Sequence, residues 1–189
     1  MPRDDAELMA AVSRGNHSAF ATLYKRYETD LYRFVYYLAD EPDTAEELFQ
    51  ETWLRVVRHM GKKRITDFKK WIFAIATNLY RDELRKRKVR RLFLGREPVE
   101  GESSDAGVGE RHTAASGGQP EAEAFAIREA LGKAMKNLTP RQRTVFILTQ
   151  IEGFKMREVA EMLGKSEGTI KSTLHRAVSM LRDALGEFR

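Results

Sequence analysis

The side chains of this chain best suited to chemistry are cations and short hydrogen-bonding groups, and they gather in two places. Near the C-terminus stand Ser166, Glu167, Thr169, Lys171, Ser172, Thr173 and Arg176. In the first half, Asn78, Arg81 and Arg85 lead into Arg85–Arg91, RKRKVRR, with six basic residues in seven and no acid. Lys86 and Lys88 belong to that run, and Lys62, Lys63 and Arg64 form a shorter basic cluster upstream. Guanidinium, hydroxyl and amide groups of this kind suit phosphate oxygens and base edges. The chemistry on offer is recognition of a polyanion.

Bond-breaking chemistry finds no support. A nucleic-acid enzyme, such as a small nuclease or a transposase fragment, needs a metal-binding carboxylate set or an activated nucleophile. The four histidines, His17, His59, His112 and His175, are scattered, and no HExxH, Walker A or paired-carboxylate motif occurs. There is no cysteine, hence no disulfide framework and no cysteine-based zinc or redox site. No metal and no cofactor are expected. The net charge of +5 suits a polyanionic partner but also suits many ordinary proteins.

The elements that must position these groups are helices. Gly153–Leu185 reads as a short helix, a glycine turn and a longer helix. Met156, Val159, Ala160 and Leu163 recur at helical spacing, and Gly164 follows where a left-handed residue ends a helix. Ser166 then serves as N-cap, with Glu167 favoured in the first turn by the helix dipole. In the second helix Ile170, Leu174, Ala177, Val178, Leu181 and Leu185 form one stripe. At about 100° per residue, Thr169, Ser172, Thr173 and Arg176 point away from it and Lys171 lies on its flank. This is the layout of a helix-turn-helix whose polar N-terminal end enters a major groove; a solvated helical hairpin is the alternative. Upstream, Thr139-Pro140-Arg141-Gln142 carries a capping box for a helix with Val145, Phe146, Leu148 and Ile151. A helical domain over residues 121–189 is expected.

Residues 1–96 read as a second helical domain. Phe20, Leu23, Tyr24, Tyr27, Leu31, Phe34, Val35 and Leu38 form the apolar stripe of one long helix. Pro42 and Asp43 open the next, with Ala45, Leu48, Thr52 and Val56 facing the core. Glu46, Glu47, Gln50 and Glu51 lie outside it, and Trp53 falls near the margin. An acidic face on a basic protein is a poor DNA surface; it is a partner-binding face or a plain solvated one. The third helix buries Phe68, Trp71, Ile72, Ile75, Ala76 and Leu79, with Asn78, Arg81 and Arg85 on one flank. Trp71 could stack on an unpaired base, but its place in the stripe favours the core. Asp82 is expected near the apolar side, anchoring a neighbouring basic group. Between the second and third helices, Gly61 breaks the chain and Thr66 is the expected cap.

Residues 97–120 are rich in Gly, Ser, Ala and Glu and almost free of large apolar side chains. Such a segment reads as a flexible acidic linker. Extended, it spans at most about 80–85 Å, enough to reach across two DNA turns of about 70 Å. The expected fold class is all-α, two small helical domains joined by this linker. No apolar run approaches the roughly 18 residues that span a membrane, and the N-terminus has acids where a signal peptide needs a basic start. No membrane insertion and a cytoplasmic location follow as expectations.

With these residues in place, LTPRQRTVFILTQIEGFKMREVAEMLGKSEGTIKSTLHRAVSMLRDAL resembles the C-terminal promoter-reading domain of bacterial sigma factors of the extracytoplasmic-function (ECF) group, in the sigma-70 family. Asp43–Val57 resembles that family's core-polymerase-binding helix, and Phe68–Arg91 its promoter-melting helix. The resemblance implies a promoter-specificity subunit. Ser166, Glu167, Thr169, Lys171, Ser172, Thr173 and Arg176 would serve the −35 element. Lys62, Lys63, Arg64, Asn78, Arg81, Arg85, Lys86 and Lys88 would serve the −10 element and its melting, with a pocket for a flipped base in the loop before Phe68. Glu46, Glu47, Gln50, Glu51 and Trp53 would dock on the clamp helices of the largest polymerase subunit. The implied partners are core RNA polymerase, including the flap of its second-largest subunit, promoter DNA and an anti-sigma factor. The family threads the segment equivalent to the linker through polymerase channels. Two departures stand out: Lys155 replaces a small hydroxyl residue ahead of the first helix of the motif, and Thr173 stands where Arg is common. A stand-alone helix-turn-helix regulator, binding DNA without polymerase, is the alternative reading.

Overall fold

The computed structural model describes residues 4–39, 41–60, 65–93 and 130–186, and among these there are helices and no strand. The chain divides into two compact units, with the boundary between residues 100 and 101. The first unit contains α1 (Asp5–Ser13), α2 (His17–Leu38), α3 (Pro42–His59) and α4 (Phe68–Phe93). In the second, residues 130–136 are helical (α5). There follow α6 (Pro140–Phe146), which widens into a π-type turn at Ile147–Ile151, then α7 (Met156–Leu163) and α8 (Glu167–Gly186). The expected linker, residues 97–120, lies outside the described residues.

Local chemistry accounts for where the helices of the first unit begin. Asn16 Oδ1 accepts from the Ala19 amide at 3.1 Å and caps α2. Pro42 stands in the opening turn of α3, followed by Asp43. α4 is capped by Asp67, whose Oδ1 accepts from the Lys70 amide at 2.8 Å. Asp67 holds this place in preference to Thr66 because it sits three residues before the amide that needs an acceptor.

The core of this unit is built from α2, α3 and α4. Leu23, Leu31, Phe34, Val35 and Leu38 of α2 are fully buried, as the apolar stripe requires, while Phe20 and Tyr24 are half-buried. Phe34 meets Phe73 at 5.0 Å between ring centroids and Tyr27 meets Phe68 at 5.3 Å. On α4 the buried set is Phe68, Ile72, Phe73, Ala76, Thr77, Leu79 and Tyr80; Trp71 and Ile75 are only half-buried. The face is wider than the stripe read from sequence because α4 packs against α1 and α2 as well as α3. α1, which no sequence pattern singled out, adds Leu8, Met9 and Ala11 to the core. Its Asp5 carboxylate accepts from Arg26 and from the Tyr27 hydroxyl. Burial and this carboxylate hold the Tyr27 hydroxyl pKa well above the ordinary phenol value.

In the second unit the capping box forms as expected. Thr139 Oγ1 accepts from the Gln142 amide at 3.3 Å, and Gln142 Oε1 accepts from the Thr139 amide at 2.9 Å. The π-type turn is marked by the Glu152 amide donating to Ile147 O at 2.9 Å. The widened turn advances the helical phase by part of a turn. Ile147 and Leu148 are therefore the buried residues, while Phe146 and Ile151 are half-buried. Arg143 is only 5% exposed. Its guanidinium donates to Met135 O at 3.1 Å, Lys136 O at 3.4 Å and Leu138 O at 3.5 Å, satisfying carbonyls around the end of α5.

Arg143→Met keeps much of the volume and removes the donors, so it is expected to destabilise the second unit by about 2–3 kcal/mol. Both tryptophans, Trp53 and Trp71, lie in the first unit. Urea titrations of the full chain followed by helix circular dichroism should show the loss, while the tryptophan fluorescence transition stays in place. An unmoved circular dichroism transition would contradict this role for Arg143.

Candidate nucleic-acid interface

The helix-turn-helix is built from its turn outward. Gly164 takes φ 62° and ψ 44°, the left-handed region. Its amide donates to Glu161 O at 3.3 Å, and that of Lys165 to Ala160 O at 2.9 Å, so the last carbonyls of α7 are satisfied. Ser166 Oγ then accepts from the Thr169 amide at 3.2 Å and caps α8. At the other end of α7, the Lys155 amide donates to Glu158 Oε2 at 2.7 Å. A lysine side chain has no acceptor to return, so this is half a capping box, in keeping with the departure noted at Lys155.

α7 and α8 pack through Val159, Ala160, Met162 and Leu163 on one side and Ile170, Leu174, Ala177 and Leu181 on the other. Met162 joins this core without having stood out in the sequence, and Val178 and Leu185 are half-buried. The outer face of the first turns of α8 presents Lys171, Ser172 and Arg176, all exposed, with Glu167 at the start. Thr169 and Thr173 are half-buried. The Thr173 and Ser172 hydroxyls donate to Thr169 O at 2.7 and 3.1 Å. Their protons are engaged inward, so outward they offer acceptor lone pairs and methyl surface. Lys171 and Arg176 make no ion pair among the described residues.

α4 divides its cations between two sides. Asn78 and Arg85 are exposed and Arg81 is half-buried. At about 100° per residue these three share one flank with Lys88, and Lys86 stands roughly a quarter-turn round. Asp82 borders the groove between α3 and α4 beside Leu48 and Leu79; its side chain is 44% exposed and pairs with Arg85 at 3.3 Å, so it anchors a neighbouring basic group as expected. The acid that faces inward is the next residue, Glu83, whose side chain is 20% exposed and receives both Arg87 and Arg90. The run RKRKVRR is thus only partly a free basic surface. Lys62, Lys63 and Arg64 lie outside the described residues.

α3 carries the acidic face. Glu46, Glu47 and Gln50 are exposed and Glu51 is half-buried. Gln50 donates to Glu46 at 3.1 Å and Arg55 pairs with Glu51 at 3.0 Å. Burial raises the pKa of the Tyr32 hydroxyl, and the nearby Glu46 carboxylate raises it further. Trp53 does not belong to this surface. It is 6% exposed, with ring centroids 4.7 Å from Tyr24 and 5.9 Å from Phe20. Its indole buries too much apolar area to stay at the margin when α2 offers an aromatic wall. What the face does present is Leu54, 50% exposed, and Val57, 57% exposed. The signal for them was available, since the core-facing stripe of α3 had no place for either. Among the described residues, no group of three or more His, Cys, Asp or Glu is placed to hold a metal ion. No described helix is long and apolar enough to cross a membrane.

Residues 23–90 match the family described as Sigma-70 region 2, and residues 128–181 match Sigma-70, region 4. The chain is 31% identical over 166 residues to the ECF RNA polymerase sigma factor SigX of Bacillus subtilis, covering 86% of this chain and 81% of SigX. It is a member of the sigma-70 family, in the ECF group. It is also 34% identical over 185 residues to the ECF RNA polymerase sigma factor BldN of Streptomyces coelicolor, covering 94% of this chain but only 66% of BldN. Among solved structures, the sigma factor RpoE of Bartonella quintana, crystallised with the anti-sigma factor NepR, superposes with a TM-score of 0.70. The two are 25% identical, and the match covers 90% of this chain and 98% of that one. The region 2 match takes in α3, most of α2 and nearly all of α4; the region 4 match takes in α5, α6 and α7 and most of α8.

Burial of Trp53 in this sigma factor has a measurable consequence. Trp53→Ala is expected to destabilise the first unit by ~3–5 kcal/mol, read by chemical denaturation. A cost within about 0.5 kcal/mol, as for an ordinary surface position, would return Trp53 to the docking face.

Proposed function

We propose that this sigma factor binds core RNA polymerase, recognises the −10 and −35 promoter elements and promotes melting of the duplex, with no catalytic centre of its own. The first domain, residues 1–96, binds the polymerase and the −10 element, and the second, residues 121–189, reads the −35 element. The segment at 97–120 joins them. A cytoplasmic location and control by an anti-sigma factor belong to the same proposal. The anti-sigma part is supported by the similarity to a sigma factor crystallised with one.

The observation that carries this reading is the pair of unlike surfaces on α3 and α4, which meet along a groove bordered by Glu47, Glu51, Arg85 and Lys86. One bundle presents an acidic and apolar face, Glu46, Glu47, Gln50, Leu54 and Val57, on one helix. It presents Asn78, Arg81, Arg85 and Lys88 on the outer flank of another. The acidic face repels DNA and suits a protein partner, with apolar anchors inside a polar rim. It docks on the clamp helices of the largest subunit. The basic flank suits phosphates and unpaired bases. A stand-alone regulator would have no use for the first of these faces.

Gel shifts separate the two functions. The protein is expected to retard promoter DNA strongly only in the presence of core polymerase, and Glu47→Lys with Glu51→Lys should abolish the supershift while the helix content holds. Tight specific retardation without polymerase would favour a stand-alone regulator.

On α8, Arg176 can bind a guanine edge bidentately, whereas Lys171 sits nearer the backbone. Arg176→Ala is expected to cost about 1–3 kcal/mol and relax selectivity within the −35 element. Lys171→Ala should weaken all promoters alike and lower the salt slope by about one. A promoter library assayed with holoenzyme over a range of salt reads both. If Arg176→Ala lowers every promoter equally, Arg176 is a phosphate contact and not a base reader.

A further inference from the structure

Arg87 lies in the middle of the basic run yet does not share the flank of Asn78, Arg81 and Arg85. At about 100° per residue it falls on the inward side of α4, in line with Ala76, Tyr80 and Glu83. Its Nε donates to Glu83 Oε1 at 3.2 Å and its Nη2 donates to Thr44 Oγ1 at 2.6 Å. Thr44 is in the opening turn of α3 and is 9% exposed; the Arg87 and Glu83 side chains are 22% and 20% exposed. Arg90 reaches the same Glu83 oxygen at 2.9 Å.

The contact is not explained by the stability of α3. A cation beside a helix N-terminus meets the positive end of the dipole and is disfavoured there. The arrangement holds because Glu83 supplies the compensating charge from one turn back along α4. Nor does the arginine simply look outward to phosphate, since its Nε and Nη2 both donate to the protein. What the triad does is tie the start of α3 to the point on α4 where the helix leaves the core. Beyond Tyr80 no residue of α4 is buried, so apolar packing no longer fixes its rotation.

We infer that Thr44, Glu83 and Arg87 form a positioning clasp that sets the angle at which the basic end of α4 is presented to promoter DNA, relative to the helix that docks on polymerase. This rests on the functions proposed for α3 and α4. None of the three touches DNA; they act through Arg81, Arg85 and Lys88. A charge-assisted hydrogen bond in a half-buried site is strong enough for its loss to be felt. Error in the pitch of α4 would appear when both domains and the melted strand must engage together, and not in the first encounter with polymerase.

The test uses full-length protein and core polymerase, with Thr44→Val, Thr44→Ser, Arg87→Gln and the Thr44→Val/Arg87→Gln pair. Core affinity, the rate of open-complex formation and the salt slope of promoter binding are measured for each. Thr44→Val and Arg87→Gln are each expected to slow opening roughly tenfold, with the pair no worse than either alone. Core affinity and salt slope should match wild type, and Thr44→Ser, which keeps the hydroxyl, should open normally. Normal opening with Thr44→Val overturns the clasp. So does a salt slope lowered by about one in Arg87→Gln, which makes Arg87 a phosphate contact and decides the matter even if Thr44→Val fails to fold. Wild-type protein that binds no core polymerase overturns the functional reading, and the clasp falls with it.

Discussion

The rotation of α4 about its own axis is the constraint on which the first unit depends. Along one helix the chain must bury Phe68, Ile72, Phe73 and Ala76 and then expose a run of cations. Burying large aromatic and aliphatic side chains stabilises by roughly 1.5–3 kcal/mol each, far more than any single exposed ion pair at about 0–1 kcal/mol. The apolar half therefore chooses the rotation, and the basic half inherits it. The flank carrying Asn78, Arg81 and Arg85 faces outward because Phe34 claims Phe73 and Tyr27 claims Phe68 on the other side. The position of the functional cations is a by-product of aromatic packing one to four turns away.

α8 follows the same logic with a different device. Its orientation is set by a turn three residues long, with Gly164 in the left-handed region closing α7 and Ser166 capping α8. Once Ile170, Leu174, Ala177 and Leu181 pack on α7, the outward residues are fixed at Lys171, Ser172 and Arg176. Reading sequence through a major groove needs side chains held to within a small error, and short hydroxyls bonded to their own backbone lose little freedom on binding. Thr173, where the family commonly has Arg, gives its proton to Thr169 O. At that position the helix offers shape and an acceptor, and the positive charge of the face is left to Lys171 and Arg176.

Local signals were legible in the sequence and long-range ones were not. The Thr139–Gln142 capping box, the Gly164 turn and the Ser166 cap are contained within a few residues of chain and formed as read, and the stripes of α2 and α8 did so except at Phe20, Tyr24, Val178 and Leu185, which are half-buried. The errors concern what a helix meets from outside. Trp53 looked marginal on its own wheel, and it is buried because α2 supplies Tyr24 and Phe20. Asp82 and Glu83 are neighbours with similar chemistry, and what Glu83 and Arg87 meet, Thr44 at the start of another helix, could not be read from α4 alone. Arg143 gave no sequence signal, since a buried guanidinium that ends another helix resembles any surface arginine until the fold brings α5 to it. The π-type turn at Ile147–Ile151 displaced two of the apolar positions expected for that helix, because a strict period cannot anticipate an inserted residue.

The division of charge bears on how such a protein can be selective. The affinity of a DNA-binding surface for any sequence grows with the number of phosphates its cations neutralise, and with it the salt dependence, about 0.9 per phosphate. A count of the basic run alone would make α4 a strong, indiscriminate DNA binder. Yet Arg87 and Arg90 are held by Glu83, and Arg85 by Asp82, while α8 presents Lys171 and Arg176 as the cations of its reading face. The α4 surface offers less free charge than a count of its cations suggests. Two surfaces of limited charge on one chain bind well only when a third body holds both near DNA, because linkage turns the second contact into an intramolecular one at high effective concentration. A surface too weak to hold random DNA by charge must rely on base contacts once it is held in place, which is the condition under which one arginine can decide between promoters.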